Sequence, residues 1–338
     1  MKQINLVLIF SLLISLLSCN DEEVDIVLPS ASTYSSISEL RQSLKPAPYV
    51  VSVDPTQNFT INGPDGVQIN SNENSILDSS GQPVNQAVDV TLNDYLTTDK
   101  MILGNVPTSS NGSLLVTGGS FDLKIGADND EYSLAPWNCN CNFSVQTNPG
   151  NYLNQMQLFT GNMVNDNNGG EIVDWELNNQ VETAMGTDGI FNTWGIDIGL
   201  SNCDVLYEMA GANGTQFEVT VSGVIDYTDN VTVWLVIEDF PSVVMITTVN
   251  STPALETYAG SIPMGLNATL IGIHIDENNY LKFGSLPIEV MGDDSFNIDV
   301  DFGTETKVFS ARYSITAIAQ KFETKNKIFK IIILFEKL

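Results

Sequence analysis

The spacing of apolar residues changes several times along this chain, and each change predicts a different element. An unbroken apolar run from Ile4 to Leu17 follows a single basic residue, Lys2. That combination reads as a secretory signal whose run is too short for a transmembrane helix of about 20 residues. Residues 20 to about 34 show no period and read as a tether. Ile37, Leu40 and Leu44 then share one helical face, and Ser36-Ile37-Ser38-Glu39 has capping-box spacing. One short helix is predicted up to Lys45, where Pro46 and Pro48 stop it.

From Tyr49 the period becomes two. Val51 and Val53, Phe59 and Ile61, and Val67 and Ile69 mark short strands. Val88, Val90 and Leu92 follow, then Phe121, Leu123 and Ile125. Gly63-Pro64-Asp65-Gly66 and Ser80-Gly81-Gln82-Pro83 are turns, since Pro fixes one dihedral and Gly accepts a left-handed one. Between about 127 and 205 the composition shifts to Asn, Gly and Asp, with short strands in long loops predicted at Met156–Phe159 and Trp175–Leu177. Regularity returns at Phe217, Val219 and Val221. Buried-strand runs follow at Val231–Ile237, Val243–Val249 and Leu270–Ile275, and Ile288–Val290 and Phe296–Val300 close the pattern.

The reading is all-β: two antiparallel β-sandwich modules joined by a loop-rich middle segment, with one short N-terminal helix. Its boundaries are a signal at 1–18, a tether and helix at 19–48, a first sandwich at 49–127, a middle segment at 128–205, a second sandwich at 206–305, and a terminal strand with a basic tail at 306–338. That tail, with Lys321, Lys325, Lys327 and Lys330 before Ile331-Ile332-Ile333-Leu334-Phe335, is unlike the rest. It reads as a strand, a membrane contact or an altered reading frame.

Composition narrows the partners. Hydrophobic residues make up 43% of the 338, enough for real cores, which argues against wholesale disorder. The 41 acidic residues against 13 basic ones give a net charge of −28, a field that repels nucleic acid and polyanionic glycans. A protein or neutral glycan ligand fits that field.

Chemistry is sparse. The one histidine, His274, sits in the apolar strand Ile271-Gly272-Ile273-His274-Ile275, where an outward-facing polar residue is the default. No zinc-peptidase, P-loop or dinucleotide-binding motif occurs, which favours a non-enzymatic protein without settling the question. No motif requires a cofactor. Dense oxygen ligands at Asp128, Asp130, Glu131, Asp166 and Glu171 suit a structural calcium, although Asn/Asp/Gly runs are first of all turn formers. Trp137 and Trp175 lie near polar loops, where they would stack on a sugar or pack in a core, whereas Trp234 belongs to an apolar strand. In an oxidising compartment Cys203 is expected to bridge Cys139 or Cys141, closing a loop of about 60 residues for about 4 kcal/mol. A Cys139–Cys141 bridge would be strained in an extended chain.

Three resemblances add to this. Leu16-Leu17-Ser18-Cys19 resembles the lipobox of bacterial lipoproteins, which implies cleavage before Cys19 and a membrane partner held through lipid on that residue. The cluster Asp21-Glu22-Glu23 is similar to the export signal of Bacteroidetes surface lipoproteins and implies an outer-membrane, cell-surface address; a solvated linker is the plainer reading. Phe59–Gly66, Asp78–Val84, Val88–Leu92, Asp99–Leu103 and Gly112–Phe121 together resemble a ZU5-like β-sandwich module of such proteins. Trp194 followed by Asn202-Cys203-Asp204 resembles a later segment of the same family, here with Gly195 to Leu200 intervening. The resemblance implies binding or envelope structure and carries over no functional residues. The rival expectation is a glycan-binding or glycan-cleaving surface protein that uses loop carboxylates with Trp137 or Trp175.

Overall fold

The computed structural model describes residues 34–298, except 127–130, 137, 146–148, 166–170, 187, 208–213, 225–226, 228, 248–253, 278, 280 and 293–294. Cys19, Asp21, Glu22, Glu23, Asp128, Asp130, Trp137, Asp166 and the basic tail lie outside the described residues.

Helix α1 spans Ile37–Leu44. Ser36 Oγ accepts the Glu39 N–H at 3.1 Å, as an N-cap should. The Glu39 carboxylate reaches back to the N–H and hydroxyl of Ser35, one residue before the expected partner. Ile37 and Leu40 are buried.

The strands of the first half are β1 (Tyr49–Val53), β2 (Phe59–Asn62), β3 (Gln68–Ser71), β4 (Ile76–Asp78), β5 (Val88–Tyr95), β6 (Ser109–Ser110), β7 (Ser113–Ile125), β8 (Tyr132–Leu134), β9 (Cys139–Ser144), β10 (Gln157–Asn165), β11 (Glu171–Leu177), β12 (Glu182–Met185), β13 (Ile190–Trp194) and β14 (Gly199–Leu206). One sheet runs β1-β5-β7-β14-β10-β11, with β6 on β7, and the facing sheet runs β12-β13-β9-β3-β2. The segment 128–205 is therefore no loop-rich connector, because its strands complete both sheets of the first sandwich. Its polar, Asn-rich composition hides these strands: β9 and β14 pair with β3 and β7 far back in the chain, while the β10–β11 and β12–β13 hairpins are built largely from polar residues. A second helix, α2 (Thr98–Gly104), and a 3₁₀ turn at Gly150–Gln155 complete this half.

The second half contains β15 (Gly214–Thr215), β16 (Glu218–Val221), β17 (Val231–Ile237), β18 (Ser242–Ile246), β19 (Leu255–Glu256), β20 (Ile262–Pro263), β21 (Asn267–Ile275), β22 (Leu281–Glu289) and β23 (Ser295–Ile298). A sheet β18-β17-β21-β22 faces a sheet β19-β16-β23, in which β16 and β23 run parallel.

Three cores result. Phe121, Leu123, Phe143 and Phe191 belong to the core inside the first sandwich, and Val219, Val233, Leu235 and Ile298 to the core inside the second. The third lies at the junction, where Trp234, Val236, Ile271 and Ile273 meet Phe159, Trp175 and the buried faces of α1 and α2. This explains the unbroken apolar run of β17. All of its residues are buried, alternating between the second-sandwich core and the junction. Strand β7 touches all three cores through Leu114, Leu115 and Phe121.

A bulge divides β7. Cys203 faces Gly119 while Asp204 faces Thr117, so Gly118 is the extra residue. A Cβ on Gly118 would sit 2.8 Å from Met156 Sδ, and Gly119 has φ +126°, a conformation open to glycine. The Asn202-Cys203-Asp204 segment is wholly buried here. Asn202 Nδ2 donates to Asp204 Oδ2 at 2.6 Å, and burial holds the Asp204 carboxyl well above the ordinary carboxylate range.

Candidate functional site

At the junction the two sandwiches do not close completely. A cleft of about 310 Å³ opens between β11, the β6–β7 hairpin, β18 and residues 256–262. That volume is at the lower end of ligand pockets.

Local sequence sets each wall. Asn111 and Gly112, at φ +48° and +76°, make the tight turn between β6 and β7. The hairpin tip is tied to β11, since the Asn111 N–H donates to Asp174 Oδ1 at 2.8 Å. The Tyr258 side chain lies over Gly112, where a Cβ would meet Tyr258 Cγ at 3.2 Å, and Tyr258 stays 54% exposed at the rim. Glu256 lines the cleft as well; its Oε2 accepts from Gln216 Nε2 at 3.1 Å. Leu114, Ile172, Val173 and Ile246 supply apolar wall, and Thr247, Thr257 and Ser261 supply hydroxyl-bearing side chains. Among the described residues, no Lys, Arg or His lines the cleft. Asp174 and Glu256 take part in none of the ion pairs found among the described residues. The arrangement can hold an apolar body and bind a hydroxyl or a cation.

The residues singled out from the sequence fall elsewhere. Trp175 is no stacking platform: it is fully buried in the junction core, and its indole Nε1 donates to the Pro107 carbonyl at 2.5 Å. Its neighbour Asp174 lines the cleft, because successive side chains on a strand point to opposite faces. Glu131 and Glu171 are exposed, and the Glu131 carboxylate accepts the Tyr132 hydroxyl. Among the described residues no three His, Cys, Asp or Glu side chains gather as a metal site. His274 is buried instead of outward-facing. Its Nδ1 lies 3.0 Å from the Asn230 carbonyl, and burial pushes its pKa down.

The expected disulfide is absent: Cys139, Cys141 and Cys203 are all free and buried. Cys139 and Cys141 belong to β9, and Cys203 to β14 in the opposing sheet. Facing sheets pack about 10 Å apart, beyond the roughly 4.4–6.8 Å Cα separation a bridge needs. Cys203 Sγ instead rests 3.6 Å from Met156 Sδ. Burial pushes the Cys139 thiol up to about 12 and the other two well above their usual value, which leaves all three unreactive.

Sequence reasoning missed Asp174, Glu256 and Tyr258. The one local signal was Asn111-Gly112, the strongest short hairpin pattern, which locates one wall. Compared with known protein families and with curated proteins, the chain matches none.

Proposed function

We propose that this protein is a non-enzymatic binding module of the bacterial outer surface, held to the membrane by lipid on Cys19, with the inter-sandwich cleft as its ligand site. The lipobox-like Leu16-Leu17-Ser18-Cys19 and the acidic Asp21-Glu22-Glu23 support the anchor and the address. The observation that carries the binding role is the cleft, which brings Asp174, Glu256 and exposed Tyr258 together at the junction of two rigid sandwiches. Ligands that bind only the folded state raise its stability, by about 2.7 kcal/mol at a concentration one hundred times Kd. A thermal-shift screen of peptides and neutral oligosaccharides should therefore find compounds that raise Tm for the native protein and not for Tyr258→Ala. A screen in which neither class raises Tm refutes the reading.

The same two carboxylates and aromatic favour a second reading, a neutral glycan ligand. A neutral oligosaccharide that outperforms every peptide in that screen would establish it.

A further inference from the structure

We propose that the cleft binds an extended, basic peptide segment, which pairs its backbone with Met245 and sets a Lys or Arg side chain against Asp174 and Glu256. This rests on the cleft being the ligand site and names the class of ligand.

The first observation is a gap in a sheet edge. Strand β18 is the edge of its sheet among the described residues. In an antiparallel pair, alternate residues direct their N–H and C=O away from the partner strand. Along β18 these outward groups are covered on both sides of Met245. The Val243 N–H donates to Thr108 Oγ1 at 2.7 Å, and its C=O accepts the Thr108 N–H at 2.6 Å. Two residues beyond Met245, the Thr247 C=O accepts the Glu256 N–H at 3.3 Å. The alternation that places Val243 and Thr247 on this edge places Met245 there too, and Met245 lines the cleft. An added strand makes its main-chain bonds at such a gap and takes specificity from pockets for alternate side chains.

The second observation is charge. Asp174 Oδ1 and Glu256 Oε2 are held by the Asn111 N–H and by Gln216, which fixes both carboxylates in place while, among the described residues, no basic side chain lines the cleft. The net charge of −28 draws in cations and repels anions. Apolar wall at Leu114, Ile172 and Ile246 suits the aliphatic stem of a Lys and its β-branched neighbours. A sugar would use the carboxylates and Tyr258 and leave the strand edge unmet. A peptide uses both.

The test uses the full chain purified in detergent and a fluorescein-labelled heptapeptide of alternating Val and Thr with one central Lys. Its binding is followed by anisotropy. A version carrying a benzophenone maps the contact by mass spectrometry. The Lys peptide should bind and crosslink at Met245. Affinity should fall at least tenfold, about 1.4 kcal/mol, in Asp174→Asn/Glu256→Gln. A central Glu or an N-methylated backbone should remove binding. Equal affinity for the Lys and Glu peptides, or crosslinks away from residues 244–247, overturns the proposal. If the peptide fails while cellohexaose raises Tm and loses that effect in Tyr258→Ala, the cleft remains a ligand site and only the peptide assignment falls. If neither probe binds, both readings fall.

Discussion

The junction between the sandwiches has a filled part and an open part, built on the same strands. In the filled part Trp175 and Trp234 are fully buried, and α1 is pinned by three bonds to Asp229 and by Arg41 donating to Thr232 Oγ1 at 2.9 Å. In the open part, strand edges from the same two sheets meet a polar hairpin and Tyr258 instead of a tryptophan. The difference lies in what covers the strands. Large side chains and a capped helix seal one part, while small residues, carboxylates and a glycine turn keep the other open. Stability should therefore concentrate in the filled part and ligand response in the open part.

The largest effect should come from Trp234→Ala, which empties the filled part at a fully buried site. We expect a loss of about 3–5 kcal/mol in urea unfolding, with both sandwiches affected together. A loss under about 1 kcal/mol would mean that the junction is not a shared core.

Next is a pH effect at two buried carboxyls of the first sandwich. Burial raises the carboxyls of Asp94 and Asp204 above their ordinary value of 3.8. As pH rises past that value, the unfolded chain releases protons that the folded protein retains, so these groups make stability fall with rising pH until the folded carboxyls ionise. The slope is about 1.4 kcal/mol per pH unit per group. Asp204→Asn should flatten the profile between pH 4 and the folded value. An unchanged slope would show that Asp204 is ionised in the fold.

Ser36→Ala removes the cap that starts α1 and should cost about 0.5–2 kcal/mol by the same unfolding measurement. The smallest change is expected from Tyr258→Ala, within about 0.5 kcal/mol because Tyr258 is more than half exposed. If that variant unfolds as readily as the Trp234 variant, the open part is structural and the contrast fails.

Much of the fold was legible in the sequence, for reasons that also mark where it stopped. Period-two alternation located β1, β2, β3, β5 and β16, and unbroken apolar runs located β17 and β21, whose two faces are both buried. Helix α1 was legible from its cap and its apolar stripe. Helix α2 was not, since Thr98–Gly104 spans under two turns, too few for a period to read. In the Asn- and Gly-rich segment only parts of β10 and β11 were legible, at Met156–Phe159 and Trp175–Leu177; β9 and β14 were hidden because pairing to β3 and β7, far back in the chain, decides them. The site was almost invisible. Its residues come from four separated stretches around 109–114, 164–174, 244–247 and 256–262, and only the turn at Asn111-Gly112 has a local signature. Trp175 shows the limit of composition-based guesses: one residue from a true cleft residue, it points the opposite way.

The placement of β14 governs the order in which the chain can mature. Strand β7 pairs with β14 along Leu115–Leu123, and β14 ends at Leu206, so the first sandwich cannot close until that residue has left the ribosome. At about 5–20 residues per second, on the order of ten to thirty seconds separate the synthesis of Tyr49 from that of Leu206. Until then Cys139 and Cys141 lack the sheet that buries them. The three thiols are thus shielded by packing only late, and oxidant present before closure would reach them in a chain whose finished fold has no place for a bridge.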